Sequence, residues 1–160
     1  MDLLYKYTIM KTNKYHEQSV ELIWKKLVEE GKDVRKAYSP AYDLLVDGYK
    51  CKVMAHKNVI DWTSKRYSVV IPIATDSSDM VNEEWDIILY RNIDNNGDPD
   101  RFYWAPKMNV WEQISAKMDD PNNIHYNKMR KQKELSNTGC IVNITELAFA
   151  RIKGVEIYNL

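Results

Sequence analysis

Residues 41–57 read AYDLLVDGYKCKVMAHK, and the reading of the whole chain turns on them. Two apolar runs flank Asp47-Gly48, a dipeptide that tolerates the positive φ angles of a type I′ turn. The spacing therefore predicts a hairpin, with one strand over 41–46 and its return over 49–56. Side chains alternate along a strand, so Lys50, Lys52 and Met54 share one face of the return while Cys51, Val53 and Ala55 share the other. The outgoing run carries one acid before the turn, Asp43.

Upstream, Val20, Ile23, Trp24, Leu27 and Val28 recur at the spacing of one helical face, and Gly31 is a natural stop. This predicts a helix over about 14–30. Downstream, RYSVVIPIA (66–74) is β-branched, with Pro72 marking an edge position or a bulge. EWDIILYR (84–91) has the near-continuous apolar character of a strand covered on both faces. A polar turn cluster follows, so RFYWAP (101–106) is expected to return antiparallel. Next come a helix over MNVWEQISAKM (108–118), a break at DDPNN, and a loop or short helix over HYNKMRKQKEL (125–135). The chain then offers a short strand over GCIVNI and a helix capped by Asn143. Helix, strands, helix, strand, helix describes an α/β or α+β sandwich.

A chain of 160 residues with 44% hydrophobic and 29% charged residues fits one globular domain, 1–160. Formal charge is zero, so attraction to nucleic acid must come from a local patch. Cys51 and Cys140 match no metal or redox spacing and read as reduced, buried thiols. No apolar run reaches the roughly 20 residues of a membrane span, and the amino terminus lacks a signal-peptide pattern. The expectation is a cytoplasmic protein without a membrane partner.

The helix with its internal Glu21, then YDLLVDG, then a charged return strand, resembles the PD-(D/E)xK (restriction-endonuclease-like) nuclease superfamily. EEWDIILYRN and DRFYWAP resemble the strand pair that follows the catalytic hairpin in small members, so the likeness covers about 14–118. It implies a restriction-endonuclease-like mixed β-sheet flanked by helices, and phosphodiester hydrolysis around a hard cation such as Mg²⁺ held by carboxylates. Asp43 matches the first aspartate and Glu21 the helix glutamate; both would be metal ligands in an active enzyme. The second acid and its lysine then fall at Lys52 and Met54, or, with a shorter hairpin, at Lys50 and Lys52. Either register puts a cation where a ligand belongs, and a thioether is a poor ligand for Mg²⁺. Asp61, Asp76 or Asp86 would have to supply the missing acid.

The resemblance thus implies a nuclease-fold binding module with a degenerate active site, built around Asp43, Lys52 and Glu21. It would act as an accessory or inhibitory factor that needs no cofactor. The alternatives are a Mg²⁺-dependent DNA or RNA endonuclease with a displaced acid, and a purely protein-binding or homo-oligomer-forming factor. Structurally, Asp43 could simply pair with Lys50 or Lys52. His16, His56 and His125 have no spacing that implies a metal site or a triad. For DNA or RNA contact the strongest segment is Tyr126, Lys128, Arg130, Lys131 and Lys133, four cations plus one ring; a solvated helix face is its plain alternative. A partner protein remains open.

Overall fold

The computed structural model describes residues 15–57, 60–61, 66–73, 80, 83–93, 100–135 and 140–160. Asp76 lies outside them, as do the side chains of Asp61, Lys133 and Cys140.

Helix α1 (His16–Glu29) turns Val20, Ile23 and Leu27 into the core, following the predicted stripe. It ends where Gly31 takes a φ of 84°, with Gly31 N–H donating to Val28 O and Lys32 N–H to Leu27 O. That pairing satisfies two of the carbonyls a helix end leaves open. Strands β1 (Val34–Lys36), β2 (Leu44–Val46) and β3 (Tyr49–Lys57) follow. Asp47 and Gly48 have φ of 49° and 87°, so both turn residues are left-handed, as the sequence predicts for type I′. After β4 (Ile60–Asp61) and β5 (Arg66–Ile73) come β6 (Ile87–Ile93) and β7 (Arg101–Pro106). Helix α2 (Lys107–Asp119), a 3₁₀ turn (Ile124–Tyr126) and α3 (Asn127–Leu135) lead to β8 (Cys140–Thr145), α4 (Glu146–Ala150) and β9 (Glu156–Asn159).

The fold is mixed α+β. A six-stranded sheet runs β1-β2-β3-β6-β7-β9 and a three-stranded sheet runs β4-β5-β8. Only β3 and β6 pair in parallel among the described strands. One face of the large sheet lies under α1, where Val20, Ile23 and Leu27 meet Leu44, Val46, Cys51, Val53, Leu89 and Phe102. The other face carries Met54, Ile88, Tyr90, Tyr103 and Ala105 against β5, β8, α2 and α4. Covered on both sides, Ile87 through Asn92 are all buried, which accounts for the unbroken apolar run.

Three sequence expectations need correction or refinement. Asn143 lies within β8 opposite Val70; the cap of α4 is Thr145, whose hydroxyl accepts from Ala148 N–H at 3.2 Å. β1 and β9, too short and polar for a clear alternation, escaped the sequence reading altogether. Pro72 pairs with Ile141 on one side, while the described pairing of β4 reaches only Arg66 and Tyr67 on the other. The missing proline N–H is thus tolerated where the ladder thins.

Arg91 ties the sheet to α1. It is 4% exposed on the α1 side of β6. Its guanidinium grips both oxygens of Asp100 and donates to Ser19 Oγ at 2.8 Å; Ser19 Oγ in turn donates to Tyr15 O at 2.6 Å. Arg91→Ala should cost about 2–3 kcal/mol in urea unfolding, somewhat less than the usual loss for breaking a fully buried pair, because Asp100 keeps some solvent. Arg91→Lys should recover little, since an ammonium cannot reproduce the two-pronged contact. A loss below about 0.5 kcal/mol would contradict the assigned role.

Candidate functional site

The candidate site forms where β2 leaves the sheet. Leu44 pairs with Cys51, yet the amide of Asp43 also donates to Cys51 O at 2.9 Å. Two residues on one strand therefore oppose one on the other, a β-bulge that re-aims the first side chain. The Asp43 carboxylate swings along β3, and Oδ2 accepts the Val53 N–H at 2.7 Å. Its other oxygen, Oδ1, lies 3.2 Å from His16 Nε2 at the start of α1. Oδ2 thus has a hydrogen-bond donor, whereas the approach of His16 Nε2 to Oδ1 lacks hydrogen-bond geometry.

Lys52 lies between the two β3 residues that Asp43 holds, but its side chain leaves β3 on the face of Met54, away from α1, whereas the Asp43 carboxylate reaches His16 on α1. Lys52 is 3% exposed, and its ammonium donates to Pro40 O at 3.4 Å rather than pairing with the carboxylate. This contact anchors the strap over residues 37–42, which is also closed by Ala37 N–H to Asp43 O (3.0 Å) and Ala41 N–H to Ser39 Oγ (3.1 Å). Met54, two residues on, is buried in the core on the side away from α1. Lys50 stands opposite Leu45, exposed, with its amide donating to Asp86 Oδ2 at 3.1 Å.

Glu21 does not join this group. It is exposed on α1, off the Val20–Ile23–Leu27 stripe, while His16 is the α1 side chain that meets Asp43. His16 carries no sequence signal beyond lying one helical turn before Val20. A divalent cation such as Mg²⁺ would need several oxygen ligands. Among the described residues, no three His, Cys, Asp or Glu side chains converge. Asp43 offers one carboxylate, with Oδ2 committed to the Val53 amide, and one carboxylate does not fit such an ion.

Asp43 and Asp86 flank Cys51 from the β2 and β6 sides. Burial, helped by these two negative charges, pushes the Cys51 thiol up to about 12. Beside Asp86, burial lowers Lys107, whose ammonium donates to Glu83 O at 3.1 Å and lies 5.6 Å from the Trp85 ring.

The basic segment is placed differently from its sequence reading. Tyr126 is 6% exposed and belongs to the core, so it offers no stacking face. Arg130 donates to Met118 O, Asp120 O and Asn123 O and to Asn127 Oδ1, closing the carboxyl end of α2. Lys128 and Lys131 are exposed on α3. Two of the four cations are therefore described as solvent-facing, and Arg130 is a helix-end clamp.

Cys51 provides a direct chemical check on this strand. In a Cys140→Ser variant, a disulfide reagent at pH 8 should leave the native thiol untouched and label it promptly after unfolding. A thiol raised on folding contributes stability below its unfolded value of about 9; that contribution is lost as pH climbs toward about 12. Rapid native labelling at pH 8 would contradict this placement.

No family model matches the sequence, and no curated protein matches it. Among solved structures, the chain is similar to a bacterial homing endonuclease, with a TM-score of 0.45 and 14% identity. The match covers 76% of this chain and 92% of that one.

Proposed function

We propose that this protein is a nuclease-fold binding module whose hydrolytic motif is incomplete, acting as an accessory or inhibitory factor. The observation that carries this reading is that Asp43 Oδ2 accepts the Val53 amide of β3 at 2.7 Å, while Lys52, between Cys51 and Val53, is buried and donates to Pro40 O. Hydrolysis of a phosphodiester by a divalent ion needs carboxylate oxygens free to take the metal and a water positioned on it. Here the strand that should contribute the second carboxylate contributes an ammonium, and the position two residues later a thioether. A positive charge at that place opposes binding of a second cation.

The rival is a working Mg²⁺-dependent endonuclease in which another acid completes the site. Asp86 is the described candidate, but its carboxylate is bonded to the Lys50 amide and sits across β3 from Asp43. No observation favours the rival over the binding module.

Plasmid nicking with Mg²⁺ or Mn²⁺ should give no product above that of an Asp43→Ala control. Metal-dependent nicking abolished by Asp43→Ala would sink the proposal. A gain-of-binding variant adds a second readout. Lys52→Glu combined with Met54→Lys restores the acid and lysine of the motif while burying a new carboxylate, so the variant should melt below the wild type without metal. Mn²⁺ should restore part of that loss by binding the folded state, while leaving the wild-type midpoint unmoved.

A further inference from the structure

Resting on that reading, we propose that the module's partner is single-stranded nucleic acid, held on the uncovered edge of the large sheet beside the strap. Leu44 and Val46 are buried under α1, so Leu45 points to the opposite face. The register sets Arg35, Leu45 and Lys50 in one row across β1, β2 and β3 on that face. Arg35 and Lys50 are exposed and Leu45 is half-buried, so the packed layer beyond stops short of this edge. Side chains opposite one another in such a row are near neighbours, about 5 Å apart at Cβ. Two cations thus flank a small apolar floor.

Aromatic rings complete the platform. The Lys50 ammonium lies 5.7 Å from the centre of the Tyr42 ring, at the end of the strap. Tyr38, three residues beyond Arg35, is 99% exposed, although the strap that carries it is fixed at Pro40 by Lys52 and at Ala37 by Asp43. A tyrosine held out on an anchored loop three residues beyond Arg35 suits a partner offering flat rings and regularly spaced negative charge. A single strand offers both, since its bases are free to stack and its phosphates follow the backbone. In a duplex the bases are stacked on one another, and an acidic peptide has no need of the ring.

The acids nearby do not cancel the platform. Asp33 lies 3.5 Å from Arg35, but both side chains are largely solvated, and such pairs exchange readily for phosphate. Asp86 is turned to the Lys50 amide, leaving the Lys50 ammonium to the Tyr42 ring. On this view Lys52, the residue that disables the hydrolytic motif, also presents the binding loop.

The test is fluorescence anisotropy of a labelled oligothymidylate with the full chain. Two phosphate contacts predict a slope of log affinity against log salt near −1.4, from about 0.7 per contact on a single strand. Tyr38→Ala should weaken binding about tenfold and Tyr38→Phe hardly at all, because stacking needs the ring and not the hydroxyl. Arg35→Ala with Lys50→Ala should flatten the slope, whereas Lys128→Ala with Lys131→Ala should leave it unchanged. Absence of salt-dependent binding by the wild type would overturn the proposal. So would sensitivity confined to the α3 lysines, or binding to poly-glutamate that ignores Tyr38. The nicking assay keeps the two readings distinguishable. Cleavage would refute the binding-module reading, whereas no cleavage together with no oligonucleotide binding would refute this inference alone.

Discussion

The candidate site depends on one backbone amide. Where β2 departs from the sheet, the Val53 N–H of the central strand β3 loses its ladder partner, and a buried amide without an acceptor is costly. The Asp43 carboxylate takes its place at 2.7 Å, which is possible because the bulge turns that side chain along β3. Several features follow from this bond. The strap over residues 37–42 must cross beside it, and Lys52 pins the strap through Pro40. The first turn of α1 must arrive on the other side, so that His16 meets the second oxygen. Arg91 secures that arrival through Ser19, in the same helical turn.

The two faces of the large sheet serve different ends. On the α1 side, packing is apolar and Arg91 with Asp100 is the buried charged pair. On the other side, Glu146 accepts from both Arg101 and Tyr103, fixing α4 over the sheet, and Tyr103 meets Phe149 edge-on at 5.5 Å. His56 and Tyr90 share a further hydrogen bond of 2.7 Å there. Burial and the neighbouring carboxylate both raise Tyr103, so it stays a neutral donor at any physiological pH. This layer stops before β1 and β2, and the row of Arg35, Leu45 and Lys50 is what it leaves uncovered.

Much of the fold was legible because its signals are local. The α1 stripe, the Asp47-Gly48 turn and the apolar run of β6 each announce their geometry within a dozen residues. β1 and β9 were not legible: each is four residues or shorter, and each exists because a neighbour offers an open edge. The same division runs through the site. Asp43 stood out by its place before the turn, but the bulge that redirects it depends on the pairing with Cys51 and Val53. His16 was invisible, since nothing in its spacing links it to an aspartate on a distant strand. Tyr126 and Arg130 show the reverse error. A basic run reads as solvated, yet tertiary packing buries its ring and turns one guanidinium back onto the end of α2.

Asp43 is a structural acceptor for the Val53 amide, and as such it should not serve as a ligand for a divalent ion. A nitrogen–proton NMR titration with Mn²⁺ tests it most directly, because the paramagnetic ion broadens only the amides near where it binds. The Asp43, Lys52 and Val53 resonances should persist at Mn²⁺ levels that broaden nothing but amides near exposed carboxylates. Selective loss of those three resonances in the wild type, abolished by Asp43→Ala, would contradict it.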